Sequence, residues 1–126
     1  MPASSSCPFC STDGAVLTNA LAYVRADKYP VAPGHMLILP LRHEPNFFAL
    51  RPEEIAAIWA LVGQTRAQLE SQSHPDGFNL GVNIGTAAGQ TVGHAHLHLI
   101  PRYRSDVDNP RGGVRGVIAA RQQYPP

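Results

Sequence analysis

His94-Ala-His-Leu-His-Leu-Ile100 sets three imidazoles in strict alternation with apolar side chains. Alternation with a period of two marks a half-buried strand. Over His94–Leu99, Ala95, Leu97 and Leu99 turn to a core, and the histidines form a row about 6.5–7 Å apart on the opposite face. Asn79 to Ile84 repeats the pattern, with Leu80, Val82 and Ile84 alternating with Asn79, Gly81 and Asn83. The small residues of Gly85–Gly93 read as a loop. If that loop joins neighbouring antiparallel strands, Asn83 shares a face with the histidines. Pro101 closes the last strand in this reading.

Upstream, Leu21–Ala26 and His35–Leu39 are short apolar runs bounded by Pro30, Pro33, Gly34 and Pro40, and both read as strands. Arg51–Gln72 carries the helix signal. Pro52 stands at the first helical position, and Glu53 and Glu54 sit in the first turn, where the helix dipole favours acids. Ile55, Ile58, Trp59, Val62 and Leu69 recur at three- and four-residue steps and form the expected buried face. Ser73–Gly77 is a turn. Strands, helix, then strands predicts an α+β fold with an antiparallel sheet and one main helix.

The chain of 126 residues fits a single domain (1–126), with a core over about 7–102 and a Pro-, Gly- and Arg-rich tail over 103–126. Apolar residues make up 44%, enough for a core. No run approaches the ~18 apolar residues of a membrane span, and Met1–Ser6 reads as a frayed lead-in without the regions of a signal peptide. Cytoplasm is the expected compartment, where Cys7 and Cys10 serve as ligands or thiols rather than a disulfide. The net charge of +1 gives no sign of nucleic acid or an anionic membrane as partner. Nine of the ten basic residues are arginine, and Arg102, Arg104, Arg111, Arg115 and Arg121 crowd the C-terminal quarter. Their forks suit phosphate oxygens, and equally a solvated surface.

The three imidazoles admit two chemistries. Histidine near neutrality is a nucleophile, acid or base, and His-x-His on a strand also chelates a metal through His94 and His96. Spacing alone leaves both open. Cys7-Pro-Phe-Cys10 is a zinc half-site, a redox pair or two idle thiols. His35 reads as structural or as supporting a reacting neighbour, and His74 as a solvated turn residue.

His94–Ile100 meets every position of the His-φ-His-φ-His-φ-φ signature, with φ apolar, and so resembles the histidine triad (HIT) superfamily. The similarity runs from about Cys7 to Arg102 and takes in Tyr23–Pro40 and Gly89-Gln-Thr-Val-Gly-His94. Gln90-Thr91 after Gly89 is most similar to the fragile histidine triad (Fhit) branch, which cleaves dinucleoside polyphosphates. That likeness implies a HIT-like fold whose sheet extends across a homodimer, and a hydrolase acting at the α-phosphate of a nucleotide. His96 would be the nucleophile that forms a nucleotidyl-histidine, and His98 would contact phosphate and handle the leaving-group proton. Gly89, Gln90, Thr91 and Val92 would cradle phosphoryl oxygens, Asn83 would contact phosphate, and Asp27 would hold the ribose. Bacterial relatives imply a closed structural Zn²⁺ site of Cys7, Cys10, His43 and His94. The alternatives are a nucleoside phosphoramidase or nucleotidyltransferase with the same nucleophile, or a nucleotide-binding regulatory protein of low turnover.

Overall fold

A computed structural model describes residues 6–125. The lead-in over 1–5 lies outside the described residues. Five antiparallel strands form one sheet: β1 (Leu17–Thr18), β2 (Ala22–Ala26), β3 (Met36–Pro40), β4 (Gly77–Val82) and β5 (Leu97–Arg102), in the order β1-β2-β3-β5-β4. One long helix, α1 (Pro52–Ser73), precedes β4. The expected α+β architecture is therefore present, and β1 is an addition to it.

The register sorts the sheet into two faces, since directly opposed residues in an antiparallel pair point the same way. Val24↔Ile38, Ile38↔Leu97, Val82↔Leu97 and Leu80↔Leu99 lie on the helix side. They pack with Ile58, Leu61, Val62 and Leu69 of α1 into the main core. Tyr23↔Leu39, Leu37↔His98, Gly81↔His98 and Asn79↔Ile100 lie on the other side. There Phe9 and Ala15 cover Tyr23, Leu37 and Leu39, while His98 stays at the surface of the sheet.

The helix presents a different face from the one the apolar residues suggested. Glu54, Ile58, Leu61, Val62, Thr65 and Leu69 are its buried residues, whereas Ile55 is 37% and Trp59 63% exposed. At about 100° per residue, Ile55 lies roughly 60° and Trp59 roughly 100° from Ile58, off the side of a stripe centred between Ile58 and Thr65. A buried acid made that stripe hard to see. Glu54 is 1% exposed; it accepts from Arg42 Nη2 at 2.8 Å and from the Arg51 N–H at 2.9 Å. The Arg42 bond holds its carboxyl below the usual range.

The histidine segment is corrected as well. β5 begins at Leu97 and continues to Arg102, so only His98 of the three histidines is in the ladder. The adjacent strand is likewise shifted, from the expected Asn79–Ile84 to Gly77–Val82. Pro101 lies within β5 rather than closing it. It is tolerated because β3 pairs only as far as Leu99, so the missing Pro101 N–H costs no ladder bond on that side. Gly34 turns beneath it with φ +88°, and a Cβ there would lie 2.7 Å from Leu69 Cδ2. No helix of the described residues is long and apolar enough to cross a membrane.

Candidate active site and metal centre

His94 is fully buried beneath the N-terminal segment. Its Nε2 lies 2.8 Å from the Pro40 carbonyl, to which it donates. The lone pair is thereby left on Nδ1, which faces Cys7 Sγ at 3.6 Å and Cys10 Sγ at 3.7 Å. His43 Nδ1 lies 3.2 Å from Cys10 Sγ, and the four ligand atoms fall within 4.8 Å of one another. Tetrahedral zinc with two sulfurs and two nitrogens requires edges of about 3.3–3.8 Å. The observed separations, the imidazole tautomer and the free thiols all fit such an ion. These are the four residues marked from the sequence. Burial raises the Cys7 thiol and lowers His94.

Two residues on, the chain prepares a different imidazole. His96 Nδ1 donates to the His94 carbonyl at 2.9 Å, so the Nε2 lone pair is free of protein partners among the described residues. Ala95 N–H is pinned to the Glu44 carbonyl at 2.7 Å, which fixes the backbone between the two histidines. Phe9, between the two cysteines, sets its ring edge-on to His96 at 5.0 Å between centroids. Phe9 escaped the sequence reading, although its place inside the Cys-x-x-Cys turn was the available signal.

His98 is 5.1 Å from His96 between centroids and 21% exposed at its side chain. Its Nδ1 meets His35 Nε2 at 2.9 Å. The Val31 N–H donates to His35 Nδ1 at 3.1 Å, so neutral His35 carries its proton on Nε2 and passes it toward His98 Nδ1. Neutral His98 is then protonated on Nε2. Asp27 Oδ2 stands 3.3 Å from His35 Nε2, and its Oδ1 accepts the Tyr29 N–H at 2.8 Å. Asp27, His35 and His98 are close enough to surround a cation. Yet His35 offers no lone pair there while Val31 occupies its other nitrogen. Burial lowers His35, and burial followed by the neighbouring imidazoles lowers His98, so both favour the neutral form.

The loop expected to cradle phosphate divides its residues. Gln90 Oε1 accepts the Gly85 N–H at 2.9 Å, and Nε2 donates to the Pro45 and Val92 carbonyls at 2.8 and 3.1 Å. Its amide therefore braces the loop. Gly89 takes the left-handed conformation after the short 3₁₀ turn Thr86–Ala88. Thr91 and Val92 border a hollow with Cys7 and His43. Asn83 lines a cleft of about 650 Å³ together with His35 and His98. Three of the five C-terminal arginines are hydrogen-bonded through their side chains to the protein itself. Arg111 and Arg115 bond carbonyls of the tail itself and lie over Tyr124, and Arg102 chelates Asp106 with two bonds of 2.8 Å.

The model of the HIT domain matches residues 11–105, most of the chain. This chain belongs to the HIT-domain family. A 16.1 kDa HIT-like protein of Mycoplasma pneumoniae is 34% identical over 109 residues, which cover 82% of this chain and 76% of that one. A protein of Dictyostelium discoideum named bis(5'-adenosyl)-triphosphatase is 35% identical over 92 residues, 73% of this chain and 62% of that one. Among solved structures, a HIT family protein from Bacillus anthracis superposes with a TM-score of 0.75 at 37% identity, covering 82% of this chain and 78% of that one. Within the matched residues, the histidine signature spans the entry to β5; the Cys-x-x-Cys turn lies just before them and meets His94.

Proposed function

We propose that this HIT protein is an enzyme that hydrolyses dinucleoside polyphosphates at an α-phosphate, with His96 as nucleophile. The observation that carries the reading is the pair of opposite tautomers set side by side: His96 bare at Nε2 and His98 protonated at Nε2. His96 Nε2 attacks the α-phosphorus, a P–N bond forms and the P–O bond to the leaving group breaks. The His98 Nε2–H donates a hydrogen bond to the departing oxygen, which leaves as an anion and takes any proton from solvent. Water then attacks the phosphorus of the nucleotidyl-histidine, the P–N bond breaks, the surplus proton passes to solvent and neutral His96 is restored. Splitting the displacement in this way is covalent catalysis. The relative named bis(5'-adenosyl)-triphosphatase supports the substrate class. Asp27 and Asn83 are proposed to contact ribose and phosphate, with backbone N–H groups of Gly89–Val92 and the exposed Thr91 hydroxyl as further donors. Gln90 contributes by bracing that loop.

Two inversions give net retention at phosphorus, whereas direct attack by water gives one inversion. Cleavage of a chiral α-phosphorothioate analogue should proceed with retention, and inversion overturns the mechanism. His96→Ala should lower kcat by about a thousandfold or more.

The residues Cys7, Cys10, His43 and His94 are proposed to hold a structural Zn²⁺. Its chemistry there is to tie the N-terminal turn to the sheet, because four protein ligands leave no open position. Free thiols ready to bind metal suit a reducing, cytoplasmic setting. The single domain is proposed to have its core over about 7–102. The outer side of β4 is a sheet edge, so a two-fold homodimer is proposed in which two such edges join. Light scattering at micromolar concentration should report twice the chain mass, and a monomer refutes it.

A further inference from the structure

The C-terminal segment is built as a closed unit. Gly112 has φ +88°, and a Cβ there would fall 2.0 Å from the Gln122 carbonyl oxygen, so the two backbones are in direct contact. Gln122 Nε2 donates to the Arg111 carbonyl at 3.3 Å, and Arg115 donates to the carbonyls of Gln122 and Arg121 at 3.2 and 3.0 Å. The guanidinium groups of Arg111 and Arg115 lie over the Tyr124 ring at 4.5 and 5.1 Å. This unit sits on the histidine face of the sheet. At Gly113 it approaches Asn79 so closely that a Cβ would be 3.4 Å from its Nδ2.

Between the unit and strands β4 and β5 lies the cleft of about 650 Å³. Its volume is in the range that holds a small organic ligand. His98, His35, Asn79 and Asn83 line it from the side of the sheet, and Val114 and Val117 from the C-terminal unit. Gly81, the cross-strand partner of His98, leaves the floor open, because nothing lies within 4 Å of where its Cβ would be. Two features of the lining decide what fits. It contains His98, the donor to the departing oxygen, and not the nucleophile His96, so it faces the departing half of the substrate. It also contains no lysine, arginine, aspartate or glutamate. A polyphosphate or sulfate placed there would find no fixed cation in the lining, and the guanidinium groups of Arg102, Arg111 and Arg115 are bonded elsewhere. A neutral, flat heterocycle would find apolar contacts on the valines and an amide hydrogen bond from Asn79.

We propose that this cleft is the seat of the leaving nucleoside, with Val114 and Val117 as specificity-determining residues; the inference rests on the hydrolase reading above. The test uses Val117→Asp in the full chain. Val117 is 83% exposed, so the change leaves the core intact. Diadenosine triphosphate and adenosine 5'-phosphoramidate share the nucleotidyl half and differ in the leaving group, a nucleotide against ammonia. The ratio of kcat/KM between them should fall by about tenfold in the variant. An unchanged ratio overturns the proposal, whether both rates fall together or neither does. An independent readout uses His96→Ala protein with labelled valine methyls. Diadenosine triphosphate should shift the Val114 and Val117 signals and adenosine monophosphate should leave them in place. Absent shifts, or equal shifts with both ligands, overturn it. If wild-type protein cleaves neither substrate, the hydrolase reading fails and the methyl signals alone decide the cleft.

Discussion

Val31 donates one backbone N–H to His35, and that bond governs a proton two side chains away. His35 must carry its own proton on Nε2, so His98 must accept on Nδ1 and hold its proton on Nε2. His35 is thus a positioning residue for His98. His35→Leu should lower kcat by about ten- to a hundredfold for a leaving group whose departing atom needs that donor, because the His98 N–H is misdirected rather than removed. The loss should be smaller for a leaving group that needs none. His35→Gln, whose amide N–H still reaches toward His98, should recover part of the rate. Equal losses for both substrates, with no recovery in the Gln variant, would mean that His35 only fills space. The sequence reading placed His35 between structure and support, because an imidazole at the head of a strand carries no sign of its partner. The long-range pairings that decide the matter, 63 residues apart for His35 and His98, are set by strand order.

At the scale of elements, the strand and helix types were legible and their phases were not. The alternating apolar residues Leu97 and Leu99 do face the core. However, His94 and His96 are drawn out of the ladder by side-chain and backbone bonds to Pro40 and Glu44, which alternation cannot express. On α1, Glu54 took a core position because Arg42 neutralises it, and Trp59 was displaced to the surface. Thr65 shares that buried stripe, and its Oγ1 has no hydrogen-bond partner among the described residues. Leaving such a hydroxyl unsatisfied costs about 1–3 kcal/mol. Thr65→Val keeps the branched shape and removes the orphaned oxygen, so it should raise Tm by about 2–5 °C. A lower Tm in a thermal melt would show that the hydroxyl has a partner in solution. The Cys/His cluster was the most legible grouping of the site, because Cys-x-x-Cys brings two thiols together locally and only two imidazoles had to be added.

Across the whole molecule, three imidazoles, His35 and His94 buried and His98 partly so, link stability to pH. Burial is the leading cause that lowers His35, His94 and His98 from the ordinary value of 6.5. Unfolding releases them to titrate near that value, so the unfolded chain binds more protons in the window below it. Stability is therefore full above about pH 6.5 and declines as pH falls toward the depressed folded values. Melts of chelator-treated protein should show a lower Tm at about pH 5.5 than at about pH 7.5; no difference would contradict the burial. Elemental analysis of protein purified without chelator should find about one zinc per chain, with a higher Tm than the chelated form. Equal melting of the two forms would remove the structural role assigned to the metal.

Position 94 joins the two halves of the site through different parts of one residue. Its ring faces the cysteines, while its main-chain oxygen holds His96. Every amino acid has that oxygen, and only a few have a donor ring. The two traits are thus open to separate inheritance: a descendant could lose the proposed metal site by changing this one side chain and still pass on an oriented His96.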